Sequence, residues 1–425
     1  MIRRLTAVLF ATATLVVACN AIIGVEDVKS KVSGDRLDSG PVTTGDDDDI
    51  TGDDDSGPVD HFDDGDHPTI ALGFNHGCAR MLDSTVRCWG DNGAGQLGDG
   101  AELTPPPDPS LRPKNVPGVS DAVAIAAGLS HTCIAHATGK VSCFGVNTFG
   151  QLGDGTTTRS SKAVEVKNIT SAKAIAGGNS TTCALLADKT VMCWGYNGSG
   201  NLGDGTKTAA STPVKVKNLA NATAVAAAAD HSCAIVEGGR VYCWGGNKTG
   251  QLGIGSLDPA PAPTELKGLS DIEQVATAQD FSCAREKSGR VYCWGANDKG
   301  QLGNGTATEA PNPSPVLVSG LTDAKWIWAG FEHACAVRVT GGIVCWGFAG
   351  QGQLGSGSVD ASASSATPVA VKNIVAARRV STGGDRSCAV TSDNKGFCWG
   401  SNGLGQLGNG TINLTYTPTP ISDFK

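Results

Sequence analysis

The apolar positions of this chain fall into short runs with a recurring order, clearest in His231 to Gly255, HSCAIVEGGRVYCWGGNKTGQLGIG. Here the β-prone runs CAIV and RVYCW flank Glu237-Gly238-Gly239, which predicts two strands joined by a short glycine-containing loop. A polar, glycine-rich segment ending in QLG follows, and no stretch shows the 3.6-residue periodicity of an amphipathic helix. Six approximate copies end in WGDNGAGQLGDG, FGVNTFGQLGDG, WGYNGSGNLGDG, WGANDKGQLGNG, WGFAGQGQLGSG and WGSNGLGQLGNG. Their aromatic markers, with that of the first copy, are Trp89, Phe144, Trp194, Trp244, Trp294, Trp346 and Trp399, spaced 50 to 55 residues apart. A fixed period of that length signals blades, solenoids or arrays.

Each unit reads as four short strands. In the third they are KAIAG, TCALL, VMCWG and TPVKV, the last at Thr212 to Val216. With 58 Gly and 19 Pro in the chain punctuating such strands, the pattern predicts an all-β, seven-bladed β-propeller with four-stranded blades over residues 67–425. A ring needs no polar end caps, but it has to close. The chain enters on PTIALG with no PVxV strand before it and leaves on Tyr416 to Ile421 with no unit after it. The expectation is that Thr417 to Ile421 pairs with Thr69 to Leu72 and completes the first blade, leaving only short edges.

Fourteen of the fifteen cysteines recur as pairs with nine residues between them: Cys78 with Cys88, Cys133 with Cys143, Cys183 with Cys193, Cys233 with Cys243, Cys283 with Cys293, Cys335 with Cys345 and Cys388 with Cys398. Pairing Val236 with Arg240 across the hairpin loop sets Cys233 opposite Cys243. A non-hydrogen-bonded antiparallel pair has its Cα atoms about 4.5 Å apart, within reach of a disulfide. Seven intrablade disulfides are therefore expected, each contributing at most about 2–3 kcal/mol, and less where the hairpin persists in the unfolded chain. The competing readings are free buried thiols, which would go with a reducing compartment, and zinc, whose structural cysteines come at C-x(2–4)-C spacing.

The N-terminal 66 residues differ sharply in composition from the repeats. Residues 1–18 carry Arg3 and Arg4, then an apolar run to Ala18 that is short for a bilayer span, and read as a signal peptide. Val16-Val17-Ala18-Cys19 resembles the lipobox of bacterial lipoproteins, which implies an acylated Cys19 as the mature N-terminus; the family prefers Leu where Val16 stands. Residues 20–66 hold fifteen acids against Lys29, Lys31 and Arg36, so 19–66 reads as a lipidated cysteine followed by a disordered acidic tether. Its Asp runs lack the spaced ligands and turn glycine of an EF-hand loop. The tether accounts for the net charge of −8, which leaves the repeats near neutral and gives no basic stripe for nucleic acid.

No HExxH, GxSxG or phosphate-loop pattern is present. His76, His131, His231 and His333 occupy one equivalent position, two residues before a cysteine, where the other units have Thr181, Phe281 and Arg386. Equivalent positions are spread around a ring, so these histidines read as structural groups bonded to backbone, with no metal site. The repeat breaks elsewhere. First strands carry alanine pairs such as Ala124 and Ala126, Ala174 and Ala176, or Ala224 and Ala226, whereas the last three units carry Gln274, Trp326 with Trp328, and Arg379. Two indoles, an amide and a guanidinium on consecutive blades are a candidate ligand site at the channel mouth; the alternative is that the indoles plug the channel or fill a gap between blades.

The unit G-x-x-H-[ST]-C-A…G-x-V-x-C-W-G-x-N-x-x-G-Q-L-G resembles the repeat of the regulator of chromosome condensation family, which forms seven-bladed propellers. The resemblance covers all seven units and weakens in the sixth, where Phe348-Ala349-Gly350 replaces x-Asn-x-x-Gly. The founder of that family is a nucleotide exchange factor for a small GTPase. The export signal, an acidic tail where the founder's is basic, and the lack of a long wedge-like insertion argue against that activity here. Other members, including a secreted bacterial inhibitor of β-lactamase, use the propeller to bind proteins. The resulting expectation is a non-enzymatic scaffold without cofactor, lipid-anchored at the cell envelope on the periplasmic face or cell surface, that binds an unknown protein or glycan and no nucleic acid. The alternatives are exchange-factor-like activity or an envelope enzyme, which would need acids or histidines converging on one mouth.

Overall fold

The computed structural model describes residues 23–24, 67–360 and 363–424. The strands expected of the third unit are all present, as Ala172–Gly177, Thr181–Leu186, Val191–Gly195 and Ala210–Lys215, in that order from the ring axis outward. Six further four-stranded antiparallel sheets repeat the arrangement, giving seven blades in a ring with no helix among the described residues. The inner strand of six blades carries a bulge near its start, as between Ala172 and Ala174. Ile23 and Gly24 pair antiparallel with Ile175 and Ala174 on the inner strand of blade three; the remainder of the expected signal peptide and tether, Cys19 included, lies outside the described residues.

The hairpin register follows the turn. Val236 pairs with Arg240, Cys233 falls opposite Cys243, and the cysteines face each other in the same way in every blade. All seven expected disulfides form: Cys78 to Cys88, Cys133 to Cys143, Cys183 to Cys193, Cys233 to Cys243, Cys283 to Cys293, Cys335 to Cys345 and Cys388 to Cys398, with Cα separations of 4.0–4.1 Å. They are buried on the blade faces, because the core of this fold lies between sheets. In blade three, Ala174, Ala176 and Cys183 pack toward blade four, while Ile175, Ala184 and Trp194 pack toward blade two.

The QLG segment couples neighbouring blades. The Gln251 carbonyl accepts from Trp294 Nε1 at 2.8 Å and from Ser282 Oγ at 3.0 Å, both in the next blade. Gly253 then turns at φ 70°, and a Cβ there would stand 2.7 Å from Trp294 Nε1, so glycine is required by both conformation and space. Six tryptophans make the equivalent bond; Phe144 cannot, and the Gln96 carbonyl is served by Thr132 alone. In unit six the turn still forms, with Gly352 N donating to Ala349 O at 2.8 Å.

The ring does not close in the way expected. Thr415–Pro420 pairs with Gly396–Gly400 as the outer strand of blade seven, and blade one is complete from Thr69–Leu72, His76–Arg80, Val86–Gly90 and Ser110–Asn115. The reason is connectivity. In every unit the segment after the QLG loop returns antiparallel to the strand before that loop, so each blade is contiguous in sequence and no strand is left over. Side chains make the seam instead. Arg386 donates to the carbonyls of Phe74 and His76, Ser381 Oγ to Ile70 O at 2.7 Å, and Trp89 Nε1 to Gln406 O at 3.0 Å. Ile421 and Phe424 pack against Ile70, Leu72, Met81 and Trp89 across it.

Candidate functional site

The four equivalent histidines are structural, but their partner is a side chain and not the backbone. His76, His131, His231 and His333 are buried, and each Nε2 lies 2.7–2.9 Å from a hydroxyl of the next blade: Thr132, Thr182, Ser282 and Ser387. Each hydroxyl donates in turn to the QLG-loop carbonyl of the histidine's own blade, at 2.9–3.0 Å. The hydroxyl proton is thus committed, so Nε2 is the protonated nitrogen and Nδ1 is bare. No partner reaches Nδ1 in any of the four among the described residues. Burial accordingly lowers their pKa values, to about 3 for His76, His231 and His333 and about 4 for His131. In blade seven Arg386 occupies this position, and desolvation lowers its pKa to about 9 against the opposing effect of Asp385. No three His, Cys, Asp or Glu side chains group to hold a metal among the described residues.

The inner-strand quartet is split by the fold. Gln274 is buried, and its amide pairs with both backbone groups of Ile327 in blade six, donating to the carbonyl at 2.8 Å and accepting from N–H at 2.9 Å. Trp328 is 2% exposed and belongs to the core between blades six and seven, with Cys335, Val380 and Trp399. Trp326 is half-buried; its ring stacks on Trp328 at 6.4 Å and 28°, and the Arg379 guanidinium lies 4.6 Å from its centroid. The structure therefore brings Trp326, Trp328 and Arg379 together and commits Gln274 to the neighbouring backbone. Neither indole N–H has a partner among the described residues, unlike the six tryptophans of the blade couplings.

A second surface lies where the inner strands end. The residue after each inner strand's closing Gly or Ala turns toward the axis, and Phe74, Leu129, Ala229 and Phe331 form an apolar plug there. Ala229, Phe331 and Leu129 pack together from blades four, six and two, and Phe74 meets Phe331 at 6.4 Å past Gly384, which leaves the space in blade seven. The next residue is Asn75, Ser130 and Ser180 in the first three blades and Asp230, Asp280, Glu332 and Asp385 in the last four. The loops after the WG step are tied to this position by backbone bonds, so they rim the same mouth. They add Asp298 with Lys299, and on the opposite side Phe149 and Tyr196, edge-on at 5.1 Å with Phe149 42% exposed. Burial raises the pKa values of Asp280, Glu332 and Asp385; neighbouring acids add to this at Asp280 and Glu332, Lys248 and Lys299 oppose it there, and Arg386 opposes it at Asp385. Sequence reasoning missed this arc, although its signal was present: one repeat column that changes from Ser or Asn to acid at the fourth unit.

Models of the regulator of chromosome condensation (RCC1) repeat match residues 83–135, 189–235, 238–285 and 288–337, and, in a second form, 69–96, 122–151, 172–201, 222–251, 272–301 and 377–406. Together they cover more than half of the chain. The protein belongs to the RCC1 repeat family. Among curated RCC1-repeat relatives, a probable E3 ubiquitin-protein ligase HERC4 of Rattus norvegicus is 38% identical over 84 residues, 20% of this chain and 8% of the ligase. A secretion-regulating guanine nucleotide exchange factor of Mus musculus is 30% identical over 110 residues, 22% of this chain and 24% of that protein. The chain thus spans under a tenth of the ligase and about a quarter of the exchange factor. Among solved structures, yeast RCC1 (Prp20) bound to Kap60 superposes with a TM-score of 0.70 at 20% identity, covering 83% of this chain and 85% of that one. Human WBSCR16 gives 0.69 at 22% identity, covering 80% and 94%. At these identities the likeness establishes the propeller and nothing further.

Proposed function

We propose that this RCC1-repeat protein is a non-catalytic binding scaffold, exported and lipid-anchored through Cys19 at the cell envelope, whose propeller engages a protein or glycan. The observation that carries the reading is the asymmetry of the mouth: an apolar plug and the Phe149–Tyr196 pair face an arc of acids, in a ring whose repeated His, Ser, Thr and Trp groups join blades and whose repeated Asn braces its own loop. Seven disulfides fit an oxidising compartment. The Trp326–Arg379 stack is the part of the inner-strand quartet left to contribute to binding. Fractionation tests the anchor: Cys19→Ser should move the protein from the membrane to the soluble fraction, and an unmodified mature N-terminus beyond Cys19 would sink this reading. Exchange-factor-like activity, favoured by the likeness to the mouse exchange factor, is tested by release of labelled GDP from small GTPases.

A further inference from the structure

Resting on the scaffold reading, we propose that the plugged mouth docks a cationic protein segment, whose Lys or Arg side chains meet the acids of blades four to seven while an apolar side chain seats against Phe149 and Tyr196. The apolar half is exposed where a monomer has no need of it. Phe149 is 42% exposed and contacts Tyr196 edge-on, and both sit on rim loops whose backbone is tied to Ser130 and Ser180 at the mouth. An apolar patch at a concave rim marks an interaction surface, and what surrounds it selects the partner. Here acids outnumber cations on the rim of blades four to seven. Asp230, Asp280, Asp298, Glu332 and Asp385 stand beside Lys248 and Lys299, with Arg159 across the mouth at the blade-one loop and Arg386 buried behind and committed to the carbonyls of blade one. Among the described residues Asp280, Glu332 and Asp385 form no ion pair with Lys248 or Lys299, in contrast to Asp298, which holds Lys299 at 2.8 Å. A basic segment would relieve repulsion that the free protein carries, and would be drawn in by the field of the mouth. An acidic polysaccharide or nucleic acid would be repelled by the same arc.

The test uses the full chain and, as probe, a fluorescein-labelled dodecapeptide of lysines with interspersed leucines, followed by anisotropy at low and physiological salt. Because the Asp runs of residues 46–55 also attract cations, three variants are compared: Asp230→Asn with Asp280→Asn and Glu332→Gln; Phe149→Ala with Tyr196→Ala; and Asp46, Asp47, Asp48 and Asp49 all replaced by Asn. The proposal expects the first to weaken binding about tenfold with a shallower salt dependence, the second to weaken it at unchanged salt dependence, and the third to leave the affinity within about twofold. Melting of the first variant should not fall, since it removes repelled charges. Wild-type affinity in the first variant, loss confined to the third, or equal binding of a glutamate-for-lysine peptide would each overturn it. If the first variant still retrieves from envelope extracts the partner that wild type retrieves, this docking mode fails while the scaffold reading stands. Guanine nucleotide exchange by the unaltered chain would instead remove the scaffold reading.

Discussion

The buried histidines make the protein's stability depend on pH in a way that can be worked through. In the unfolded chain each has a pKa of about 6.5, while the folded values are about 3 to 4, so the unfolded state binds more protons throughout the window between them. Stability from these groups is fully present above pH 6.5 and is lost as pH falls. Between pH 7 and 5 the loss is about 2 kcal/mol per histidine, and it depends only on the unfolded value as long as the folded one stays below 5. Four histidines give about 8 kcal/mol, a large share of the total stability of a typical domain. Asp280, Glu332 and Asp385 act in the opposite sense, because raised carboxyl values make the fold take up protons before the unfolded chain does. Their contribution therefore works against the histidine effect as pH falls toward the ordinary carboxyl range.

The ring supplies its own control. Where His is absent in blade five, Phe281 is fully buried, and the facing position in blade six is Ala334 and not a hydroxyl. His231→Phe with Ser282→Ala copies that pair into the neighbouring interface. Guanidinium unfolding of oxidised protein at pH 7 and pH 5 should show the double variant losing about 2 kcal/mol less than wild type between the two conditions. An identical loss in both proteins would mean that His231 is protonated within the fold, and the tautomer assignment would fall with it.

Trp328→Ala should cost about 3–5 kcal/mol, because the indole is enclosed between blades, whereas Trp326→Ala should cost clearly less; equal losses in thermal unfolding would place both in the core. Arg386→Met removes two charge-assisted bonds across the closing seam, leaving the His76 carbonyl with the Gly73 N–H alone, a loss of about 3–5 kcal/mol that would appear as earlier hydrogen exchange in blades one and seven; uniform protection would refute the seam. Truncation before Thr415 should strip the outer strand from blade seven, together with Ile421 and Phe424, and lower melting far more than removal of residues 1–66; equal, small effects would contradict the seam packing.

How much of this was open to inspection in the sequence depends on whether the interaction is local or crosses from blade to blade. Cys233 and Cys243 share one hairpin, so turn length fixes their register, and the disulfides were legible from spacing. Closure was not, because the strand Thr415–Pro420 carries no mark of its partner; only the return of each outer strand onto the one before it decides the matter. The bulk of Trp326 and Trp328 in a column of alanines was visible, but in a strand of this ring that column faces the next blade, so bulk there fills an interface before it lines a channel. The histidine partners were legible by a route that comparison within one column conceals. Set each residue two before a cysteine beside the residue one before the next unit's cysteine, and the pairs are His76–Thr132, His131–Thr182, Thr181–Ser232, His231–Ser282, Phe281–Ala334, His333–Ser387 and, around the ring, Arg386–Gly77. Histidine stands only where a hydroxyl faces it, a phenyl ring faces a methyl, and the one arginine, set against a glycine, bonds the backbone of blade one instead of a side chain. A repeat propeller is thus better read along its interfaces than down its columns, since its core is made between units and each unit's exceptions are answered by its neighbour.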